Sequence, residues 1–341
     1  MSRLARYSCV FMLLMLVLVG WLHLGAALIT VLFAYFALSK LDFTRFKWVA
    51  VVTFAVLVSA IFYGFVVFVK QAFVALPQMA EVTIPKVVEY ARAQYNIELP
   101  FEDVNSLKAL IVEGMRTQLK YLGNFAKLAT GEFLALVIGV VVACSLFLSA
   151  KVELGRETSL FRNNLYSLVS DEIVQRFRTF YESFAIVMGA QIVISSINTL
   201  FTAIFVVAVR LDWAGVIIVL TFLCGLLPII GNLISNSVIV GLAFTVSPKL
   251  AIVALVFLVV VHKLEYFLNS KIIGDRIKNP VWLTLLALVL GERLMGIPGM
   301  ILAPVILHYI KVETSQIRVD DAPPGQTLSD PAGPPDIVVG K

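Results

Sequence analysis

The chain of 341 residues is far more apolar than a soluble protein, since 60% of its residues are hydrophobic and only 14% are charged. This composition excludes a soluble enzyme, a nucleic-acid-binding domain and a disordered regulator, and it indicates an integral membrane protein. The net charge of +5 is typical of the lysine and arginine excess that orients membrane proteins. The cysteines lie inside apolar runs, and no metal-binding, nucleotide-binding or familiar catalytic motif is present. We therefore predict neither an enzyme nor a bound cofactor.

Three long apolar runs are each interrupted near the middle by glycine, proline or polar residues. The runs cover residues 8–39, 216–246 and 281–310, with breaks around His23, at 227–232 and at 291–299. Each run is longer than one crossing of a membrane core about 30 Å thick. The pattern predicts helical hairpins, either as two full spans or as re-entrant pairs. A secretory signal peptide is the alternative for the first run, but no clear cleavage site follows it.

Uninterrupted apolar stretches supply the remaining spans, at 48–69, 133–150, 183–209 and 250–268. The expected fold is all-α and polytopic, a single membrane domain over 1–312 with about eight membrane segments. Residues 70–130 are polar and predict an extracytoplasmic helical segment, punctuated by prolines. Residues 151–182 predict an amphipathic segment on the cytoplasmic side. The tail 313–341 is rich in proline, glycine and aspartate and predicts disorder.

The charges of the short loops predict the orientation. The N-terminus and the loops 40–47 and 270–278 are biased toward lysine and arginine, which favours the cytoplasm. Both termini are then cytoplasmic in the inner membrane. This topology holds for either depth of the interrupted runs, because each returns to its own side.

The break in the second run is the first candidate functional feature. Interrupting a helix in hydrocarbon leaves backbone groups unpaired, at a cost of several kcal/mol each. Such breaks persist where they line a cavity or are buried in protein, and transporters use them to bind substrates and ions. The carbonyl groups before Pro228 could bind a cation, and the amides after Gly231, with Asn232 as the capping residue, could bind an anion. A structural kink is the alternative.

Polar side chains on the spans point to the same kind of function. Gln191, Ser195 and Asn198 share one face of a predicted helix, so they could line a hydrophilic path or form hydrogen bonds between helices. Glu265 lies near the end of a span, with Asn269 four residues later on the same face. Glu292 and Arg293 lie at the third break and could carry a proton, pair with Glu265, or mark a wet hairpin tip.

The C-terminal part of the chain resembles the autoinducer-2 exporter family over residues 183–312. The matching pieces are Leu226–Asn232, Glu265 with Asn269–Gly274, Asn279-Pro280, and Gly291 with Gly296–Pro304, in the same order and spacing. The residues that match the family motifs are Pro228, Gly231, Glu265, Asn269, Gly296, Pro298 and Gly299. The chain departs from the family pattern in four places: Leu226 replaces an amide, Ile229 replaces an aromatic residue, and Tyr266 and Phe267 follow Glu265 where asparagines are common.

The resemblance implies an exporter of small solutes, including the quorum-sensing signal autoinducer-2. It also implies a homo-oligomer, a pentamer, that works by an elevator-like movement, and coupling to Na⁺ or H⁺. We predict alternating access with the breaks at 228–232 and 291–299 forming a site near the midplane, and Glu265 as the coupling carboxylate. The expected partners are membrane lipids and a small solute, without nucleic acid. The alternatives are a Na⁺(Li⁺)/H⁺ antiporter and a membrane scaffold that transports nothing.

Overall fold

The computed structural model describes residues 3–43, 46–95, 122–149, 165–227, 230–273 and 280–315, and its regular structure is helical throughout. Ten helices follow one another in this described part of the chain. They are α1 Arg3–Trp21, α2 Gly25–Lys40, α3 Lys47–Tyr95, α4 Leu122–Leu148, α5 Leu165–Ala208, α6 Ala214–Gly225, α7 Ile230–Val246, α8 Pro248–Ile273, α9 Val281–Met295 and α10 Ile297–Ser315. The prediction of an all-α polytopic membrane protein is confirmed.

Two helical stretches, Lys47–Gln94 and Leu168–Ala208, are long and apolar enough to cross a membrane alone. The bent pair Tyr7–Trp21 and Gly25–Lys40 meets the same test when its two helices are taken together, with a bend of 117°. Shorter apolar helices are Phe133–Leu148, Ala214–Gly225 and Gly231–Val246. The number of membrane segments stays a prediction.

All three predicted breaks separate helices in the structure. Leu22–Leu24 lies between α1 and α2, where His23 has a φ of 53°. The second break lies between Gly225 and Ile230, and its residues 228–229 are outside the described part. The third break is a single residue, Gly296, whose φ of 64° belongs to the left-handed region that favours glycine. The interrupted runs therefore form helix pairs.

Two helices are longer than the sequence predicts. α3 continues from the predicted span 48–69 through Pro77 and Pro85 to Tyr95, over 49 residues, which is about 74 Å. Its second half is held by packing, because the buried face that includes Ala72 and Met79 contacts α7 and the helices beside it. α5 likewise joins part of the predicted surface segment 151–182 to the predicted span 183–209. Residues 150–164 and 316–341 lie outside the described part.

The long helix α5 connects two hydrophobic clusters. Around Phe180, Phe184 and Met188 it packs against α1, α2 and α10. Farther along, around Val206, it packs against α3, α6, α7 and α8. A third cluster joins α2, α3 and α4. The polar site described below lies beside the second cluster.

An ion pair crosses the first cluster between α5 and α10. The guanidinium of Arg176 contacts the carboxylate of Glu313, and the two side chains are only 14% and 8% exposed. Arg176 Nε also donates a 3.4 Å hydrogen bond to Ser8 Oγ on α1. An ion pair and a hydrogen bond therefore link the three helices at this point, in addition to apolar packing.

Removing one partner of this ion pair is expected to destabilise the protein. Arg176→Met leaves the Glu313 charge buried without its partner, which typically costs about 3–5 kcal/mol. The double variant Arg176→Met/Glu313→Leu removes both charges and should regain most of the lost stability. Thermal unfolding in detergent measures both variants. Equal unfolding temperatures for the single and double variants would contradict this account.

Candidate functional site

Polar side chains of four helices meet in a small chamber beside the second break. They come from α5, α6, α7 and α8, while two apolar residues of α8 complete the lining. The lining residues are Asn198, Thr202, Thr221, Asn232, Ser235, Asn236, Leu258, Val261, His262 and Glu265. The chamber has a volume of about 10 Å³, which is room for about one water molecule.

Glu265 is the acidic group of this chamber, and two asparagines hold its carboxylate. Asn232 Nδ2 on α7 donates to both oxygens, Oε1 and Oε2, at 2.8 Å each. Asn198 Nδ2 on α5 donates to Oε2 at 3.1 Å. An ionised carboxylate can only accept hydrogen bonds, so it is the amide nitrogens that face it. The Glu265 side chain is 13% exposed, and these donors replace much of the water that it loses.

One polar atom of the Asn198 side chain makes no hydrogen bond within the described residues. Its Oδ1 is buried, and no donor for it lies among the described residues. The nearby hydroxyls of Thr221 and Ser235 donate to backbone carbonyls of their own helices, Ile217 O at 2.8 Å and Asn232 O at 3.3 Å. A buried amide oxygen without a donor is costly. The chamber thus keeps an acceptor available next to the carboxylate.

The broken end of α6 is stabilised by the polar face of α5. Gln191 Nε2 donates to Gly225 O at 2.5 Å, and Ser195 Oγ donates to Phe222 O at 2.8 Å. These carbonyls belong to the last turn of α6, where intrahelical donors run out. Gln191 and Ser195 therefore form hydrogen bonds between helices, and Asn198, farther along the same face, reaches the chamber.

Gly231 brings the two helices of this break into backbone contact. A Cβ atom at residue 231 would overlap the carbonyl group of Cys224 at the end of α6. Only glycine permits this approach. Asn232 follows directly, so the position of its amide depends on how closely α6 and α7 meet.

The residues of the third break, which the sequence predicted to form the site together with the second break, do not line the chamber. None of the described residues that line the chamber belongs to 291–299. Gly291 and Gly299 instead bring α9 and α10 together, and a Cβ on Gly25 would contact Met295 and Pro298. The Glu292 side chain is 55% exposed, and its Oε2 lies 3.9 Å from Nε of Arg293. The third break thus packs against the first, around α1 and α2.

The side chains of two predicted site residues lie outside the part of the chain that the structure describes. Pro228 falls in the undescribed residues 228–229, and the side chain of Asn269, near the end of α8, is also undescribed. Nor does the described part of the chain contain a group of three or more histidine, cysteine and acidic residues that could hold a metal ion.

Five polar residues line the chamber without having been among the candidate site residues, namely Thr202, Thr221, Ser235, Asn236 and His262. Thr221 is a lone hydroxyl in an apolar helix, and nothing in its sequence surroundings marks it. His262 lies three residues before Glu265, and this helical spacing could have identified it.

Comparison with known proteins places the chain in a family. Residues 6–318 match the sequence profile described as "AI-2E family transporter". The protein named "Putative transport protein YdbI" of Bacillus subtilis (strain 168) is 24% identical over 212 residues, which cover 62% of this chain and 59% of that protein. The match over nearly the whole chain shows that this protein is a membrane protein of the AI-2E transporter family.

Proposed function

We propose that the protein exports a small solute by alternating access, that inward movement of protons drives the export, and that Glu265 is the coupling carboxylate. The observation that carries this proposal is the position of Glu265. It is a largely buried carboxylate, bound by amides from two other helices next to a helix break. The family and the relative's name support transport.

Protonation of Glu265 would change what holds the chamber together. In the ionised state, charge-assisted hydrogen bonds link α8 to α5 and α7, and such bonds are roughly twice as strong as neutral ones. When Oε2 gains a proton it becomes a donor and needs an acceptor. Asn198 Oδ1 can serve after the amide turns over, because it has no donor in the described structure. The carboxyl group of Glu265 then has hydrogen-bond partners in both protonation states, and the neutral state holds the helices less tightly.

The small volume of the chamber implies that the helices around it move during transport. A volume of about 10 Å³ admits a water molecule but not a solute the size of a sugar derivative. Solute passage therefore requires α6 and α7 to shift relative to α5 and α8. Weaker bonds between Asn232 and Glu265 would permit that shift, which joins proton binding to the opening of a path.

The orientation is proposed from loop charge and from aromatic side chains. Trp48 and Trp282 are both exposed, and each lies at the start of a helix that follows one of the predicted loops rich in lysine and arginine. Tryptophan favours the membrane interface, and basic loops favour the cytoplasm. We place both loops and both termini in the cytoplasm, with the protein in the inner membrane.

The experiment is efflux from proteoliposomes that contain the purified protein and are loaded with autoinducer-2, with and without a pH gradient. Efflux above protein-free liposomes that increases with the gradient supports the proposal. Equal efflux in both conditions indicates a facilitator and contradicts coupling. A chamber of this size also suits a small ion, so a Na⁺-driven pH change without solute efflux would favour cation/proton exchange. No signal in either assay would favour a scaffold.

A further inference from the structure

His262 lies at the mouth of the Glu265 chamber. It precedes Glu265 by three residues on α8, so the two side chains share a face. Its Nδ1 is 3.8 Å from Glu265 Oε2, and its side chain is 68% exposed whereas that of Glu265 is 13% exposed. The His262 side chain is therefore exposed, whereas the Glu265 carboxylate faces the protein interior.

The other polar groups around the chamber are neutral. The side chains that α5, α6 and α7 contribute are hydroxyls and amides, namely Asn198, Thr202, Thr221, Asn232, Ser235 and Asn236. On α8, the only charged neighbour of His262 besides Glu265 in this stretch is Lys263, which is exposed and does not line the chamber. Among the described lining residues, His262 and Glu265 are the two whose side chains ordinarily exchange protons in proteins.

Lys263 is the exposed residue that follows His262 on α8. An ammonium group on an apolar helix extends toward water or headgroups. His262 is itself 68% exposed, so protons can reach it from outside the chamber, while Glu265 lies behind it.

We propose that His262 is the proton relay that loads and unloads Glu265; this inference rests on the proposed function of that carboxylate. Neutral imidazole takes a proton from hydronium, which leaves a water molecule, and becomes imidazolium. The Nδ1–H bond then breaks, its proton binds Oε2, and the products are neutral imidazole and a neutral carboxylic acid. The reverse sequence releases the proton. The 3.8 Å gap closes by a side-chain rotation of His262 or through one bridging water.

The test observes Glu265 itself and needs no transported solute. The reconstituted full-length protein is shifted rapidly from alkaline to mildly acidic pH, and the carboxylic acid C=O stretch is followed by time-resolved infrared spectroscopy. The Glu265→Gln variant identifies the band. In His262→Gln the band is expected to rise at least about tenfold more slowly than in the parent protein. Lys263→Gln, one residue away, should leave the rate unchanged.

A chemical rescue separates a relay from a structural role. His262→Ala should be slow in plain buffer and recover most of the rate when free imidazole is added, which a misfolded protein would not do. An unchanged rate in His262→Gln, or a slow His262→Ala that imidazole does not accelerate, overturns the relay, as does the absence of a Glu265 band at every pH reached. Because the readout is protonation, failure of solute efflux in the parent protein would overturn the proposed transport without deciding this test.

Discussion

Gradient-driven efflux is expected to fall to the level of protein-free liposomes when Glu265 is replaced by glutamine. The Glu265→Gln substitution preserves size and removes the exchangeable proton, so the chamber can no longer alternate between an ionised and a neutral state. The introduced amide can still accept a hydrogen bond from Asn232 or Asn198 through its carbonyl oxygen, so the protein should remain folded. Efflux from proteoliposomes under a pH gradient measures the effect, and size-exclusion chromatography checks assembly.

Glu292→Gln is the matched control for this substitution. It makes the same chemical change at the other candidate glutamate, which the sequence places at the third break. Glu292 is 55% exposed and is not among the residues that line the chamber, so its efflux should stay within about a factor of two of the parent protein. Full gradient-driven efflux in Glu265→Gln would remove that carboxylate from the mechanism.

Gly231→Ala is expected to be the most disruptive glycine substitution in the second helix pair. The added methyl group would overlap the backbone carbonyl of Cys224, and a carbonyl group at a helix end cannot rotate away as a flexible side chain can. α6 and α7 must separate, which typically costs about 1–3 kcal/mol or more. The displacement also moves Asn232 away from Glu265. We expect loss of efflux and a lower unfolding temperature in detergent.

Gly215→Ala provides the comparison. Residue 215 lies in α6, and a Cβ there meets no atom within 4 Å. Alanine is a better helix former than glycine by up to about 1 kcal/mol, so this variant should be as stable as the parent or slightly more so. Similar behaviour of the two variants would show that close contact at Gly231 is not what holds the helices together.

Much of the helix arrangement was predictable because breaks in apolar runs have a distinct composition. The predicted breaks around His23, at 227–232 and at 291–299 each overlap a separation between helices. The extent of α3 and α5 was not predictable. Prolines and charged residues favour a helix end locally, but the packing of Ala72 and Met79 against distant helices extends α3 beyond them.

The sequence identified several residues of the site, but it did not identify which of them form hydrogen bonds with one another. Asn198, Asn232 and Glu265 were all candidates, but only the packing of α5, α7 and α8 shows that they bind one another. Gln191 and Ser195 share a helical face with Asn198, yet they bind the end of α6. Helical periodicity identifies the residues that share a face, but it does not identify the helix that packs against that face. For the same reason the sequence could not separate Glu292 from Glu265.

Glu265 is the single carboxylate among the described residues that line the chamber, and this number determines the proton-to-solute stoichiometry of the proposed cycle. One such group binds one proton, so the proposed cycle exchanges one proton per solute molecule. A difference of one pH unit is worth about 1.36 kcal/mol per proton, which sustains about a tenfold concentration ratio of a neutral solute. A membrane potential of about 100 mV adds about 2.3 kcal/mol per charge, a further factor of about fifty. The protein would thus be an electrogenic exporter. Its maximum accumulation ratio is the product of the concentration ratio from the pH difference and the factor from the membrane potential.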